Sequence, residues 1–183
     1  MVREVAFAGS MRRKLIEWLN GLDLPRHLGI NDCEQLFEDR ADLLHATSLF
    51  RYPVINKGKD YSGESPKPHR SEMLRAFMDA FVTRELPRVH PDAYIIPLGK
   101  PPSVQLGEAA RARKLNSYRF LGGGVQRSEP RWHFLHPSQI LGAQDRQATF
   151  DRHKAEMREM VAEWFAHHPA QSTGLGGAEL KEI

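Results

Sequence analysis

A histidine on a stiff loop is the residue of this sequence best placed to do chemistry. His136 follows the apolar segment 131–135 and is followed by Pro137 and Ser138. An imidazole in that position can act as a general acid, or it can donate a hydrogen bond to a developing anion. The alternative is a histidine held in a structural hydrogen bond of its loop. Without further context, the residues favour that structural alternative.

Polar residues also lie at the ends of two other apolar runs. The run 43–50 contains Thr47 and Ser48, and the run 93–98 is followed by Gly99 and Lys100. In an open parallel sheet, ligands bind beyond the carboxyl ends of the strands. The three run ends together therefore predict a ligand site, more strongly than any one of them does alone.

Hydrophobic periodicity predicts the elements that would position these residues. Apolar side chains recur at helical spacing over 11–21, 71–86 and 145–167, and Ser10 and Ser71 are expected N-caps. Short apolar runs predict strands. The remaining predicted elements are strands at 43–50, 93–98, 118–121 and 131–135, a helix at 101–115 and a short helix near 32–38. This order indicates an α/β domain with a mostly parallel sheet and helices on both faces.

Length and composition predict one domain over residues 1–168 and a flexible, glycine-rich tail over 169–183. A hydrophobic content of 40% and a charged content of 27% are ordinary for a globular protein in the cytoplasm. We find no apolar run of membrane-spanning length and no signal peptide. The single cysteine, Cys33, excludes an intrachain disulfide and a cluster held by several cysteines.

The chain is mildly basic, with a net charge of +3. Much of this charge falls near a predicted surface loop, 51–69, that has no hydrophobic period and contains Tyr52 and Tyr61. The basic residues in and next to this loop are Arg51, Lys57, Lys59, Lys67 and Arg70. Lysines and arginines interleaved with aromatic rings are typical of a surface that follows a phosphate backbone. An ordinary solvated loop has the same composition, and both interpretations stay open here.

The sequence gives little support for a metal site or for a nucleophilic serine. His133 and His136 are three residues apart, but they lie on a predicted strand and loop rather than on one helix face. No His-Glu-x-x-His pattern occurs. Ser138 lacks the glycine elbow that exposes a hydrolase serine. The sequence therefore predicts no metal and no cofactor.

Taken together, the sequence segments at these predicted strand ends resemble motifs of the uracil-DNA glycosylase superfamily. The segment 97–100, Pro-Leu-Gly-Lys, is followed after about 35 residues by 136–138, His-Pro-Ser, as in the C-terminal half of that family. The segments 42–54 and 59–63 resemble the central strand and following loop of bacterial members. Residues 7–10 resemble the segment just after the family's first motif. The resemblance covers residues 7–165.

This resemblance implies a three-layer α/β/α sandwich with a mostly parallel four-stranded sheet, and excision of uracil or a related deaminated base from DNA. The nucleotide would be flipped out, and His136 would donate to the base oxygen as negative charge grows there. Ile140 and Leu141 would fill the gap in the helix. The base pocket would include Thr47, Ser48, Pro137 and Ser138. The expected DNA contacts are Arg51, Lys59, Lys100, Gln139, Ile140 and Leu141.

The sequence departs from the family at two places. The glycine-rich first motif, which carries the residue that activates water, has no counterpart, and we expect its strand to lie upstream of Met1. No Asp or Asn precedes Asn20. Ser48 stands where several relatives have an asparagine that reads the uracil edge. The alternatives are therefore an inactive member that binds nucleic acid or protein, or an unrelated small-molecule hydrolase on a flavodoxin-like sheet.

Overall fold

The fold is that of a computed structural model of the chain. It describes residues 9–50, 54–61, 65–89, 93–98, 119–120 and 143–168.

Long amphipathic helices make up much of the described chain, and three of them agree with the sequence prediction. Helix α1 spans Ser10–Gly21, α2 spans Leu24–Leu28, α3 spans Glu72–Ala80 and α4 spans Ala143–His167. Only α2 was not predicted. Among the described helices, none is both long and apolar enough to cross a lipid bilayer.

The helix starts show which capping predictions were correct. The Ser71 hydroxyl accepts a hydrogen bond from the Leu74 amide at 3.4 Å, which confirms Ser71 as the N-cap of α3. Ser10 was expected to cap α1, but it is the first helical residue, and Gly9 precedes it with a φ of 65°. That prediction was wrong because the chain enters α1 through a backbone conformation that suits glycine.

The hydrophobic core forms where α1 packs against α4. Leu15 and Leu19 of α1 are buried, as are Met157 and Val161 of α4. A side chain at Gly21 would be crowded, because a Cβ there would lie 3.3 Å from the ring of Phe150 and from Lys154 Cε. Glycine at the end of α1 therefore allows the two helices to approach closely.

Trp18 is the largest fully buried side chain at this contact. Its ring stacks on Phe150 with the ring centroids 5.4 Å apart. The indole Nε1 donates to Gln147 Oε1 at 3.2 Å, and Lys14 Nζ donates to the same oxygen at 3.0 Å. The indole thus has both an aromatic partner and a hydrogen-bond partner on α4.

The predicted short helix near 32–38 is a 3₁₀ turn, Cys33–Phe37, that is tied to α1. Asp32 caps it by accepting from the Glu34 amide at 2.6 Å. The side chain of Asn20 bridges the two elements. Its Oδ1 accepts from the Cys33 amide at 2.9 Å, and its Nδ2 donates to Asp32 at 2.6 Å. Both ends of the Asn20 carboxamide are therefore used within the fold.

The predicted buried strand at 43–50 does not form. A 3₁₀ turn, Ala41–Leu43, ends there, and residues 44–50 are irregular. A strand inside a parallel sheet is buried on both faces. Here His45, Thr47 and Ser48 are exposed. A run of apolar residues does not specify a strand, because a strand also needs neighbours that complete its hydrogen bonds.

Two short strands form within the predicted strands 93–98 and 118–121. A hairpin precedes them in the chain, with β1 at Ile55–Asn56 and β2 at Lys59–Asp60. Strand β3, Tyr94–Ile95, then pairs in parallel with β4, Arg119–Phe120. The remaining predicted strand, 131–135, the helix at 101–115 and the tail at 169–183 lie outside the described residues. The three-layer α/β/α sandwich stays a prediction.

Strand β3 packs against the last turns of α4. The Tyr94 ring contacts Trp164 with centroids 5.4 Å apart, and it contacts Phe165 at 6.4 Å. Burial, and secondly the charge of Glu163, raise the pKa of Tyr94 above its usual range. The phenol therefore stays neutral and acts as an aromatic packing group between the sheet and the helix.

Cys33 is expected to be unreactive in the folded protein. It is fully buried, and burial together with the nearby charge of Asp32 raises its pKa to about 12. Because the thiolate is the reactive form, we expect Ellman's reagent to leave the native protein unlabelled at about pH 8. In denaturing guanidinium, we expect the reagent to label one thiol per chain. The raised pKa also means that stability falls as pH rises from about 9 through about 12. Rapid labelling of the native protein would contradict this account.

Candidate nucleic-acid interface

Three of the residues predicted for the site lie in the described part of the chain: Thr47, Ser48 and Lys59. The other predicted site residues lie outside the described residues, and they are Arg51, Lys100, His136, Pro137, Ser138, Gln139, Ile140 and Leu141. The base pocket as predicted is therefore not described as a unit. The structure does describe the geometry around Thr47 and around Lys59.

Thr47 and Ser48 lie on an exposed, irregular stretch next to the end of α3. The Thr47 hydroxyl donates to Glu85 Oε2 at 3.2 Å, in the π-helical turn Phe81–Glu85 that continues α3. This contact fixes the path of the chain at the position where the central strand was predicted. Ser48 is exposed.

A tight β-hairpin, residues 54–61, lies within the segment that the sequence predicted to be a loop. Its strands pair antiparallel, with Ile55 opposite Asp60 and Asn56 opposite Lys59. The two turn residues are left-handed, since φ is 51° at Lys57 and 75° at Gly58. Two successive residues with positive φ match the twist of a two-residue hairpin. The hairpin consequently places Lys57 at its tip.

One face of the hairpin is fastened to the segment that follows it. Asn56 Nδ2 donates to the Ser65 carbonyl at 2.7 Å, and the Tyr61 hydroxyl donates to the Pro66 carbonyl at 2.5 Å. The Tyr61 amide also donates to the Val54 carbonyl at 2.8 Å, which extends the ladder. These bonds stabilise the hairpin, because an isolated two-stranded hairpin is only marginally stable in water.

An aromatic contact joins the hairpin to the stretch that carries Thr47 and Ser48. The rings of Phe50 and Tyr61 meet edge to face, with centroids 5.7 Å apart. Such pairs stabilise by about 0.5–1.5 kcal/mol beyond burial alone. Burial also raises the pKa of Tyr61, so its hydroxyl remains a donor at neutral pH. The contact brings two parts of the predicted site to one surface.

The surface around this hairpin is basic. Lys57 and Lys59 are exposed on the hairpin. The exposed cations beyond it are Lys67, Arg70 and Arg75, and the exposed acids in the same stretch are Asp60 and Glu72. Among the residues that the structure describes between 54 and 75, exposed cations therefore outnumber exposed acids, a composition that suits contact with phosphate. Residues 54–61, together with Phe50, Lys67 and Arg70, are named the hairpin surface.

The described residues contain no group of three or more His, Cys, Asp or Glu side chains that could hold a metal ion. The hairpin surface instead offers ammonium groups, a guanidinium and aromatic edges. These groups recognise anions and ring systems.

Sequence reasoning missed the hairpin and its contribution to the site. Asn56 and Phe50 were not singled out, although they fasten the hairpin and join it to the Thr47 stretch. The signal that could have revealed the hairpin is Lys57-Gly58, flanked by Ile55 and by the segment 59–61. Glycine at a turn between two short runs is typical of hairpins.

Comparisons with known proteins place the chain near one bacterial relative. It is 31% identical over 160 residues to the uncharacterized protein YoxB of Bacillus subtilis (strain 168). The match covers 87% of this chain, which spans 58% of the length of that relative. No family model matches the chain, and no solved structure matches it.

Proposed function

We propose that this protein binds DNA through the hairpin surface, as a cytoplasmic uracil-DNA glycosylase-like protein of base excision repair. One observation supports the proposed DNA binding. The hairpin is held by the bond from Asn56 to Ser65, exposes Lys57 and Lys59, and carries the Phe50–Tyr61 contact. A positioned cation contributes more to phosphate binding than one on a mobile loop, because less freedom is lost on binding.

The catalytic half of the proposal rests on the resemblance of the strand ends, including His136, to the uracil-DNA glycosylases. In that proposal the protein has the family's α/β/α sandwich, and His136 donates to the uracil oxygen while the N-glycosidic bond breaks. The glycosidic bond electrons leave with the base, water adds to the sugar carbon, and the proton that this water loses balances the one that the base gains. No metal or cofactor is required.

One observation favours a second candidate, an inactive family member that binds nucleic acid or a protein partner. The chemistry needs a residue that positions water, and Asn20 of α1 is one candidate among the residues of this sequence. Its carboxamide is occupied at both ends, by the Cys33 amide and by Asp32. These two bonds hold Asn20 in the contact between α1 and the 3₁₀ turn, which is a structural role.

Excision of uracil separates the two candidates. Labelled oligonucleotides containing uracil, hypoxanthine or xanthine are incubated with the protein, treated with alkali and resolved by size. An active enzyme should yield cleaved strands, and His136→Ala should slow excision by roughly 10²–10³-fold, the usual effect of removing such a donor. His133→Ala, three residues away, is the matched control and should retain activity.

Binding without strand scission at stoichiometric protein would support the inactive member. The DNA proposal itself requires that affinity decrease with rising salt, since phosphate contacts release counterions. An affinity independent of salt would overturn it.

A further inference from the structure

The two aromatic residues of the hairpin surface, Phe50 and Tyr61, are not closed off in the core. Both are half-buried. Their ring planes are 71° apart, so they meet edge to face rather than stacking. In such a pair, one ring turns its edge toward the face of the other. The ring that presents its edge therefore has neither of its own faces covered by its partner.

A cation lies beside these rings on the same side of the hairpin. Tyr61 follows Lys59 by two positions and continues the ladder through the bond from its amide to the Val54 carbonyl. Residues two apart along a strand share a face and are about 7 Å apart. Lys59 is exposed, and the Tyr61 hydroxyl is bonded to the Pro66 carbonyl. The hairpin thus presents an ammonium group next to a fixed aromatic ring.

The acid of the hairpin lies on its other side. Asp60 pairs with Ile55, whereas Lys59 pairs with Asn56. Because neighbouring positions of a strand point to opposite faces, the Asp60 carboxylate is directed away from the face of Lys59 and Tyr61. The face that carries the ring therefore carries positive charge without a hairpin carboxylate to oppose it.

This pairing of cation and ring distinguishes between forms of DNA. Phosphates are present on single strands and on duplexes, and lysines attract both. Rings bind bases by stacking on their flat faces, and the bases of a duplex already stack on one another. A single strand leaves its base faces available. Surfaces that bind single strands accordingly combine cations along the backbone with aromatic rings under the bases.

We infer that the hairpin surface binds single-stranded DNA in preference to duplex DNA. A base stacks on the Phe50–Tyr61 pair, while Lys59 and Lys57 contact neighbouring phosphates. The inference rests on the DNA-binding function proposed above, and it names the form of DNA that this surface takes. Because every base has a flat face, binding should depend little on sequence.

Fluorescence anisotropy with two labelled probes tests the inference. One probe is an oligothymidylate, which does not pair with itself, and the other is a duplex of the same length. With the full chain in low salt, the single strand should bind roughly tenfold more tightly or better. Phe50→Ala should weaken single-strand binding by roughly five- to a hundredfold, the usual effect of losing one stacked base, and should change duplex binding by less than about twofold.

Two variants serve as controls. Phe50→Trp keeps an aromatic ring at this position and should retain the preference for the single strand. Phe77→Ala removes another half-buried phenylalanine, from α3 and outside the hairpin surface, and should leave the preference unchanged. Retained duplex binding by Phe50→Ala, together with its circular dichroism spectrum, checks that the variant is folded.

The outcomes separate the strand preference from DNA binding as such. Salt-dependent binding that is as tight to the duplex as to the single strand would overturn the preference and leave DNA binding standing. The same holds if Phe50→Ala weakened binding to both probes equally, since the ring would then support the hairpin rather than a base. Absence of salt-dependent binding to either probe would overturn both the preference and the proposed DNA binding.

Discussion

Replacing Lys57 by Asn and Lys59 by Thr in one protein is expected to weaken DNA binding by roughly ten- to a hundredfold in low salt. Both lysines are exposed on a hairpin that is bonded to Ser65 and Pro66 through Asn56 and Tyr61. Each lost phosphate contact should also lower the slope of log affinity against log salt by about one. The double variant should therefore reduce that slope by about two.

The substitutions are chosen so that the hairpin itself is kept. Lys57 has a φ of 51°, a conformation that asparagine adopts more readily than lysine. Threonine suits the strand position of Lys59. Affinity and its salt dependence are measured by fluorescence anisotropy of a labelled duplex. A loss of affinity then reports lost charge rather than a lost turn.

The matched control removes the same charge elsewhere. Arg13 on α1 and Arg152 on α4 are exposed and lie outside the hairpin surface. The double variant Arg13→Gln and Arg152→Gln should change affinity far less, although the net charge changes equally. Equal losses in the two double variants would mean that net charge, and not the hairpin surface, governs binding.

The substitution Trp18→Ala is expected to lower the free energy of unfolding by about 3–5 kcal/mol, the usual cost of deleting a buried aromatic side chain. Trp18 is fully buried, stacks on Phe150 and donates to Gln147. Its loss would leave a cavity between α1 and α4, two helices from opposite ends of the chain. Urea unfolding followed by far-ultraviolet circular dichroism gives the measurement, since indole fluorescence itself would change.

Two further variants separate packing from surface effects. Trp18→Phe keeps a ring against Phe150, and Gln147 keeps its bond from Lys14, so the loss should be about 1–2 kcal/mol. Glu17→Ala removes the exposed ion pair with Lys14, 2.7 Å long, and should change stability by less than about 1 kcal/mol. If Trp18→Ala cost no more than Glu17→Ala, the α1–α4 contact would not be the core of the protein.

Helices α1, α3 and α4 were predictable because their signals are local. The stripe of Phe150, Met157, Val161 and Trp164 repeats at the helical period and is buried along α4 as expected. Ser71 caps α3 through a bond to an amide three residues away. Each of these signals is contained within a few turns of sequence, so no knowledge of the rest of the fold was required.

The strand prediction at 43–50 failed, and the hairpin was missed, for opposite reasons. The apolar run looked like a buried strand, yet strand formation depends on partners far away in sequence, and the stretch stays half-exposed. The hairpin looked like a loop because its polar residues show no hydrophobic period. It is specified instead by the Lys57-Gly58 turn and by bonds from Asn56 and Tyr61 to the segment at 65–66.

The sequence alone determined the helical segments, the basic character of the region around 51–70 and the presence of His136 after an apolar run, since these depend on residue types and short spacings. The tertiary structure decided which residues meet. It packed Trp18 against Phe150 and brought Phe50 into contact with Tyr61. It also bonded the Asn20 side chain to the Cys33 amide. It left Ile55 exposed on the hairpin. Contacts between distant residues follow from how whole elements pack, and no short stretch of sequence contains that information.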